Sequence, residues 1–468
     1  MLFQRSQPWL YLTPLLLMLS PYACGGSVPV VKAAWVVLGE NGQAVARIVT
    51  PDADCPSILI DGKASPMRLR AKAETIPKRP TASRPDYSKP ASFPVNTCEH
   101  HLPANIAHAL VGDISLPLPK AYPRRIVIIG DSGCRMKKAD SAWQDCSDPN
   151  AWPFAQIAML AAGFKPDLVL HVGDYHYRES PCPQGMSGCE ASPWGYGWDA
   201  WEADLFKPAA SLLAAAPWIM VRGNHEECAR GGQGWFRFLD PRPYEAMRSC
   251  NDPAKDSNAD YSEPYAVPIG ADAQVIVFDS AKAGKSPLDP ANAKDATAFA
   301  KYQAQFLTVG MLAGKPGTLS MFANHHPIIG LTPKAGGSVI GGNRALLSVM
   351  KGLNGTAYYP PGIQAALHGH THLFEAINFA SDHPATFLSG NSGDNVDKSL
   401  PDPLPAASSP AEGVTIAKIT HSDSFGFLVL DRQQDAWAFK AYRRDGSLMT
   451  TCLLKQGKVN CDRTGLIK

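Results

Sequence analysis

The spacing of apolar and polar positions changes character near Arg125. Before it, short apolar runs alternate with turn residues. Ala33–Leu38 and Gln43–Thr50 flank Gly39-Glu40-Asn41-Gly42, which predicts a hairpin. Ser57–Ile60 and Met67–Arg70 read as further short strands. Pro77 to Pro94 holds five prolines among Lys, Arg and Ser, and predicts a long surface loop or linker. After Arg125, apolar runs alternate with helical patterns. Ile126–Ile129 reads as a buried strand, Trp152–Phe164 as an amphipathic helix and Asp167–Val172 as the next strand. A helical stretch from Trp198 to Ala215 then precedes a strand at Trp218–Val221. This βαβαβ order predicts an α/β core. It continues through a strand at Val275–Phe278, a helix near Ala291–Leu312 and strands at Leu319–Ala323, Ala365–Leu367, Phe427–Leu430 and Ala436–Ala441.

Composition narrows the picture. At roughly 150 residues per domain, 468 residues predict two or three domains. Lys+Arg 44 against Asp+Glu 42 leaves a net charge of +2, with no long-range pull on nucleic acid or anionic lipid. Trp9–Leu19 is an apolar run interrupted by Pro14, too short to span a bilayer and of the length of a signal-peptide core. We therefore expect a signal peptide over 1–23 and an exported, periplasmic or extracellular protein without a transmembrane segment. Cys24 follows in a segment that resembles a bacterial lipobox, which leaves lipid anchoring and plain cleavage both open. Export would place the chain in an oxidising compartment. Setting Cys24 aside, ten of the eleven cysteines remain. Cys134–Cys146, Cys182–Cys189, Cys228–Cys250 and Cys452–Cys461 would each close a short loop as a disulfide. No Cys-x-x-Cys pair suggests a cysteine zinc site.

Five short loops carry the candidate chemistry. They are Gly130-Asp131-Ser132-Gly133, Gly173-Asp174-Tyr175-His176-Tyr177, Gly223-Asn224-His225-Glu226, Asn324-His325-His326-Pro327 and His368-Gly369-His370-Thr371-His372. Each follows a predicted strand, where open α/β folds place their ligands. Carboxylates suit hard cations and imidazoles suit zinc, iron or manganese. Two cations about 3.5–4 Å apart need an anionic bridge and several ligands each. His370 and His372, two apart, would point to one side of an extended segment and serve neighbouring metals.

These loops resemble the calcineurin-like metallophosphoesterase superfamily, closest to its purple acid phosphatase branch. The branch pattern D-x-G, G-D-x-x-Y, G-N-H-E/D, H-x-P and G-H-x-H reads here from Asp131 to His372. Gly133, where many members carry His, together with Tyr177 favours the purple branch. The resemblance covers about residues 124 to 445 and implies a four-layer αββα sandwich over 121–468. A small β-rich domain, over 30–120 with its Pro-rich loop at 77–94, precedes it. It implies that Asp131, Asp174, Tyr177 and His372 hold one metal, and Asp174, Asn224, His325 and His370 the other. Tyr177 as tyrosinate implies Fe(III), with zinc, manganese or Fe(II) beside it. The implied activity is acid phosphatase hydrolysis of phosphomonoesters by a metal-bound hydroxide, with Asp174 and His225 as catalytic residues. Asn224 and His225 would contact the substrate phosphate. A phosphodiesterase or nucleotidase of the same fold is the alternative, and a non-catalytic secreted binding module a more distant one. The disulfide loop Cys182–Cys189 and the stretch Gly330–Gly342 are expected pocket walls.

One departure stands out. A histidine usual nine or ten residues after the fourth-motif ligand is replaced here by Lys334 and Ala335, so Lys334 is a candidate substrate contact. His176, His326 and His368 are expected to support the ligands or pack, and His100 and His101 to lie on the surface.

Overall fold

The computed structural model describes residue 1, residues 29–80 and residues 87–468. The expected signal segment, Cys24 and the middle of the Pro-rich stretch lie outside the described residues.

Two sheets stack face to face, of eleven and eight strands among the described residues. At the centre of the first, Arg125–Ile129, Leu168–His171 and Trp218–Met220 run parallel. At the centre of the second, Ala273–Val277, Leu319–Ala323, Ile363–His368 and Ala385–Ser389 run parallel. The period of two along each strand builds the layers. Ile126, Ile128, Leu168, Leu170 and Ile219 of the first sheet meet Val275, Val277, Met321, Ala365 and Leu367 of the second in one core. Val127, Ile129, Val169 and Trp218 point the other way, under the helices Phe154–Gly163 and Ala210–Ala215. Ile276, Phe322 and Ala366 likewise lie under Ala296–Ala313 and Arg344–Asn354. The result is the four-layer αββα sandwich, with both faces of its parallel strands buried.

The β-rich N-terminal segment is stitched into this architecture. Ala33–Leu38 pairs parallel with Trp218–Met220, and Ala44–Thr50 and Asn96–His101 extend the same sheet. Buried Arg47 and Arg70 reach across to the helical turn Trp235–Leu239. Arg47 donates to the carbonyls of Phe238 (2.8 Å) and Asp240 (2.6 Å), and Arg70 to Phe236 (2.7 Å) and Arg237 (3.0 Å). Glu99 lies between the two guanidiniums and compensates their charge.

Several expectations need correction. Trp198–Ala215 is not one helix but Trp198–Trp201, a wide turn at Glu202–Phe206 and Ala210–Ala215. Pro208 falls at the break, because it has no N–H to continue the ladder. The ends of the Pro-rich stretch are packed rather than loose. Ala91–Phe93 pairs with Glu74–Ile76, and Arg79 contacts the Cys250 carbonyl and Asp256. His100 and His101 are half-buried rather than on the surface, since their strand is paired on both sides. The four expected neighbouring cysteine pairs are disulfides, and Cys55–Cys98 is a fifth among the described residues.

One buried acid predicts a pH effect. Glu375, in Phe374–Phe379, is fully buried, accepts from the Leu331 N–H at 3.4 Å and has an unpaired Oε1. Burial pushes it up to about 8. The folded chain therefore binds this proton more tightly than the unfolded chain. The stability it confers is full below the ordinary value of 4.5 and is lost as pH rises through about 8. Glu375→Gln is expected to flatten the loss of urea-midpoint stability between these pH values. An unchanged profile would remove Glu375 as its cause.

Candidate metal centre

All five sequence loops leave the carboxyl ends of the parallel strands and converge at one end of the sandwich. Their backbones interlock before any side chain is considered. Asp131 N donates to the Gly173 carbonyl (2.9 Å), Ser132 N to Asp174 (3.0 Å) and Gly369 N to His325 (3.0 Å). Asp131, Asp174 and His370 take φ of 53°, 59° and 69°. This left-handed region is costly for non-glycine residues and is held here by the surroundings. The segment around His370 is thus a turn, so His370 and His372 do not sit on one side of an extended strand. Gly173 has φ 102°, and a Cβ there would lie 2.6 Å from His325 Nδ1. A Cβ on Gly223 would lie 2.1 Å from Asp174 Oδ1. Glycine at these positions lets the ligand loops touch.

The donor atoms form two groups that share one carboxylate. Tyr177 Oη lies 3.0 Å from Asp131 Oδ1, 2.9 Å from Asp174 Oδ2 and 3.1 Å from His372 Nε2. Asn224 Oδ1 lies 3.1 Å from His325 Nε2 and 3.0 Å from His370 Nδ1, and His325 Nε2 is 3.1 Å from Asp174 Oδ2. Asp174 Oδ2 is the corner common to both. Edges of about 3 Å are those of ligands around a cation bound at about 2.1 Å.

The protons show why a cation fits. His325 donates Nδ1–H to the Val172 carbonyl (2.9 Å), and His372 donates Nδ1–H to the Asn395 carbonyl (2.7 Å). Each ring then turns its Nε2 into the cluster. Against burial, Asp174 and Asp131 raise His325 to about 9, and Asp394 and Asp131 raise His372 to about 10, so a cation would take the place of the two Nε2 protons. The Tyr177 hydroxyl has one proton and faces two carboxyl oxygens and His372 Nε2. Burial, and then the Asp131 and Asp174 carboxylates, push this phenol well above its ordinary value. Burial also pushes Asp131 up, whereas Asp174, in spite of burial, is held well below its ordinary range by His325. A bound cation would relieve the crowding of lone pairs and favour the phenolate.

His225 occupies the edge of the cluster. Its ring is buried, with Nε2 3.8 Å from Asp174 Oδ2 and its centroid 3.9 Å from that of Tyr177. Its Nδ1 lies 2.7 Å from Glu179 Oε1, and Arg230 contacts the same carboxylate and donates to the Asn224 carbonyl (3.1 Å). Burial and the neighbouring Arg230 lower His225 to about 4, so it is neutral in this arrangement.

The remaining candidates separate clearly. His326 packs beside His370 at 4.2 Å between centroids and bonds Ser280 Oγ. His368 is held by the Asn324 carbonyl, and buried His176 sits between Tyr196 and Trp201. Lys334 is exposed at the tip of a small hairpin, Thr332–Pro333 with Val339–Ile340. That hairpin is tied to the ligand turn by Thr332 Oγ1 to Thr371 Oγ1 at 2.8 Å. Sequence reasoning assigned no role to Glu226, Glu179 or Arg230, and missed a sixth loop, Asn391–Asp397, after Ala385–Ser389. Its Asn391-Ser392-Gly393-Asp394 repeats the polar-glycine pattern of the other loops, and that was the available signal.

A family model described as calcineurin-like phosphoesterase matches residues 124–374. Among solved structures the chain is similar to PhoD, with a TM-score of 0.54 and 13% identity over 94% of each chain. It is also similar to the purple acid phosphatase PPD1 from seeds of yellow lupin (Lupinus luteus). There the TM-score is 0.49 and the identity 12%, over 89% of this chain and 73% of that one. No curated protein matches the chain by sequence.

Proposed function

Because this chain belongs to the calcineurin-like phosphoesterase family and is a phosphoric ester hydrolase, we propose that it is an exported binuclear enzyme acting on phosphomonoesters. The observation that carries the binuclear reading is the sharing of Asp174 Oδ2 between two groups of converging lone pairs. Asp131, Asp174, Tyr177 and His372 would hold one cation, and Asp174, Asn224, His325 and His370 the other. Tyr177 favours Fe(III) in the first position, with zinc, manganese or Fe(II) in the second. The cations would supply Lewis-acid polarisation of the phosphoryl group and lower the pKa of a water. The chain's own groups do the rest. Asn224 and His225 face the ester phosphate, and Glu179 orients the His225 ring. Burial of the ligand cluster strengthens each of these contacts. The disulfides support an oxidising compartment, and no helix of the described residues is long and apolar enough to cross a membrane.

The test is metal analysis with a visible spectrum, together with turnover of p-nitrophenyl phosphate and bis(p-nitrophenyl) phosphate. Two metals, a tyrosinate–iron(III) band and preference for the monoester are expected. Zinc or manganese alone without the band would overturn the iron assignment, and preference for the diester would overturn the substrate class. Lys334 is proposed as a phosphate contact, with an expected rise in KM of about threefold for Lys334→Ala at unchanged kcat. An unchanged KM would remove Lys334 from the substrate contacts.

A further inference from the structure

The sixth loop and one arginine address only one half of the centre. Asp394 is fully buried, and its N–H donates to the Asp131 carbonyl at 2.8 Å. Its carboxylate lies 3.7 Å from His372 Nδ1. The next residue, Asn395, accepts His372 Nδ1–H, and Asp397 Oδ2 accepts the His372 backbone N–H at 2.9 Å. A buried carboxylate so close to Asp131 needs a counter-charge. Arg135 supplies it: Nε lies 2.9 Å from both Asp394 oxygens, and Nη2 contacts Oδ2 as well. The same guanidinium lies over the Tyr177 ring, 4.9 Å from its centroid, and reaches outward to Asp140 at 2.9 Å.

We propose that Arg135 and Asp394 are a positioning pair for the Asp131–Tyr177–His372 half of the centre. This rests on the binuclear reading above. The pair sets three things at once. The Asp394 loop fixes the backbone of Asp131 and the rotation of His372. The fork of Arg135 fixes Asp394. The guanidinium, seated on the Tyr177 ring 4.9 Å from its centroid, fixes where that ring sits against the cluster. The other half is held differently: His325 leans on the Val172 carbonyl, and the Asn224 carbonyl on Arg230. Loss of the pair should therefore weaken one metal step and spare the other.

The experiment is titration of the full-length, metal-stripped protein with Zn(II) by calorimetry against a competing chelator. Wild type, Arg135→Met, Asp394→Asn and Arg135→Lys are compared, with circular dichroism to verify the fold. Outer partners of metal ligands typically contribute 10- to 100-fold in affinity, so Arg135→Met and Asp394→Asn should each weaken one of two steps by about that factor and leave the other within about threefold. Arg135→Lys, which keeps the charge but not the fork, should fall between. In a Tyr177→Phe background Arg135→Met should add less than it does alone, because part of its effect is to place the Tyr177 hydroxyl, which phenylalanine lacks. Two unchanged steps in both variants, or equal weakening of both steps, would overturn the positioning role. If one variant fails to fold, the other decides. A wild-type protein that binds fewer than two Zn(II) would instead overturn the binuclear reading on which the pair depends.

Discussion

Asp174→Ala is expected to reduce phosphomonoester hydrolysis by roughly 10³-fold, the scale on which losing electrostatic stabilisation of developing charge acts. Asp174 Oδ2 is the corner shared by Tyr177 Oη at 2.9 Å and His325 Nε2 at 3.1 Å. Its other oxygen accepts the His225 backbone N–H at 2.9 Å. Removal therefore takes the shared corner from both halves and a tether from His225, the proposed substrate contact. The variant should retain its fold, because the change relieves two buried carboxylates, Asp131 and Asp174, of each other's charge. Metal content should fall below two per chain while the circular dichroism spectrum stays unchanged. A variant that still holds two metals and turns over would refute the centre as assigned.

Glu226→Gln is expected to destabilise the protein by about 3–4 kcal/mol, since each buried donor left unsatisfied costs about 1–3 kcal/mol. The Glu226 carboxylate is fully buried and accepts four backbone N–H groups. They come from Gly223 (3.1 Å), Asp174 (3.1 Å), Tyr175 (2.9 Å) and His176 (3.2 Å). One oxygen thus joins the Asn224 loop to the Asp174 loop, and the other holds the turn that follows Asp174. A glutamine amide turns a donor toward these donors, so two of the four bonds cannot form. The shift should show in the urea midpoint at constant slope, together with weaker retention of both metals because both loops loosen. A loss under about 1 kcal/mol, the usual range of a neutral change, would mean that the loops hold themselves without the clamp.

Much of the fold was readable from the chain because its physical causes are local. Ile126-Val127-Ile128-Ile129 is apolar at every position, as a strand covered on both faces must be, and it lies between a layer of helices and the second sheet. The ligand loops were readable for a related reason. Asp131, Asp174, Asn224, His325, His370 and His372 each lie within a few residues of a strand end, and four of them (Asp131, Asp174, Asn224 and His370) directly follow a glycine, so their types and spacing are visible without a partner. The helix over Trp198–Ala215 was misread because Pro208 breaks a ladder whose apolar period continues through it. His100 and His101 were misread because nothing in their neighbourhood announces that Ala44–Thr50 and Arg68–Ala71 flank their strand.

The sequence by itself determined the βαβ order, the candidate ligand residues at the strand ends and the cysteines close enough to pair. These depend on covalent neighbours and on side-chain period. Only the tertiary structure decided that Asp174 Oδ2 is the shared corner, that His325 and His372 turn Nε2 toward the cluster, and that Glu226 and the Arg135–Asp394 pair brace the loops. Those facts depend on contacts between residues far apart in the chain, such as Arg135 with Asp394 and His372 with Asn395. No periodicity encodes which carbonyl receives a histidine proton or which guanidinium neutralises a buried acid. The packing of two sheets settles that when it brings the strand ends together.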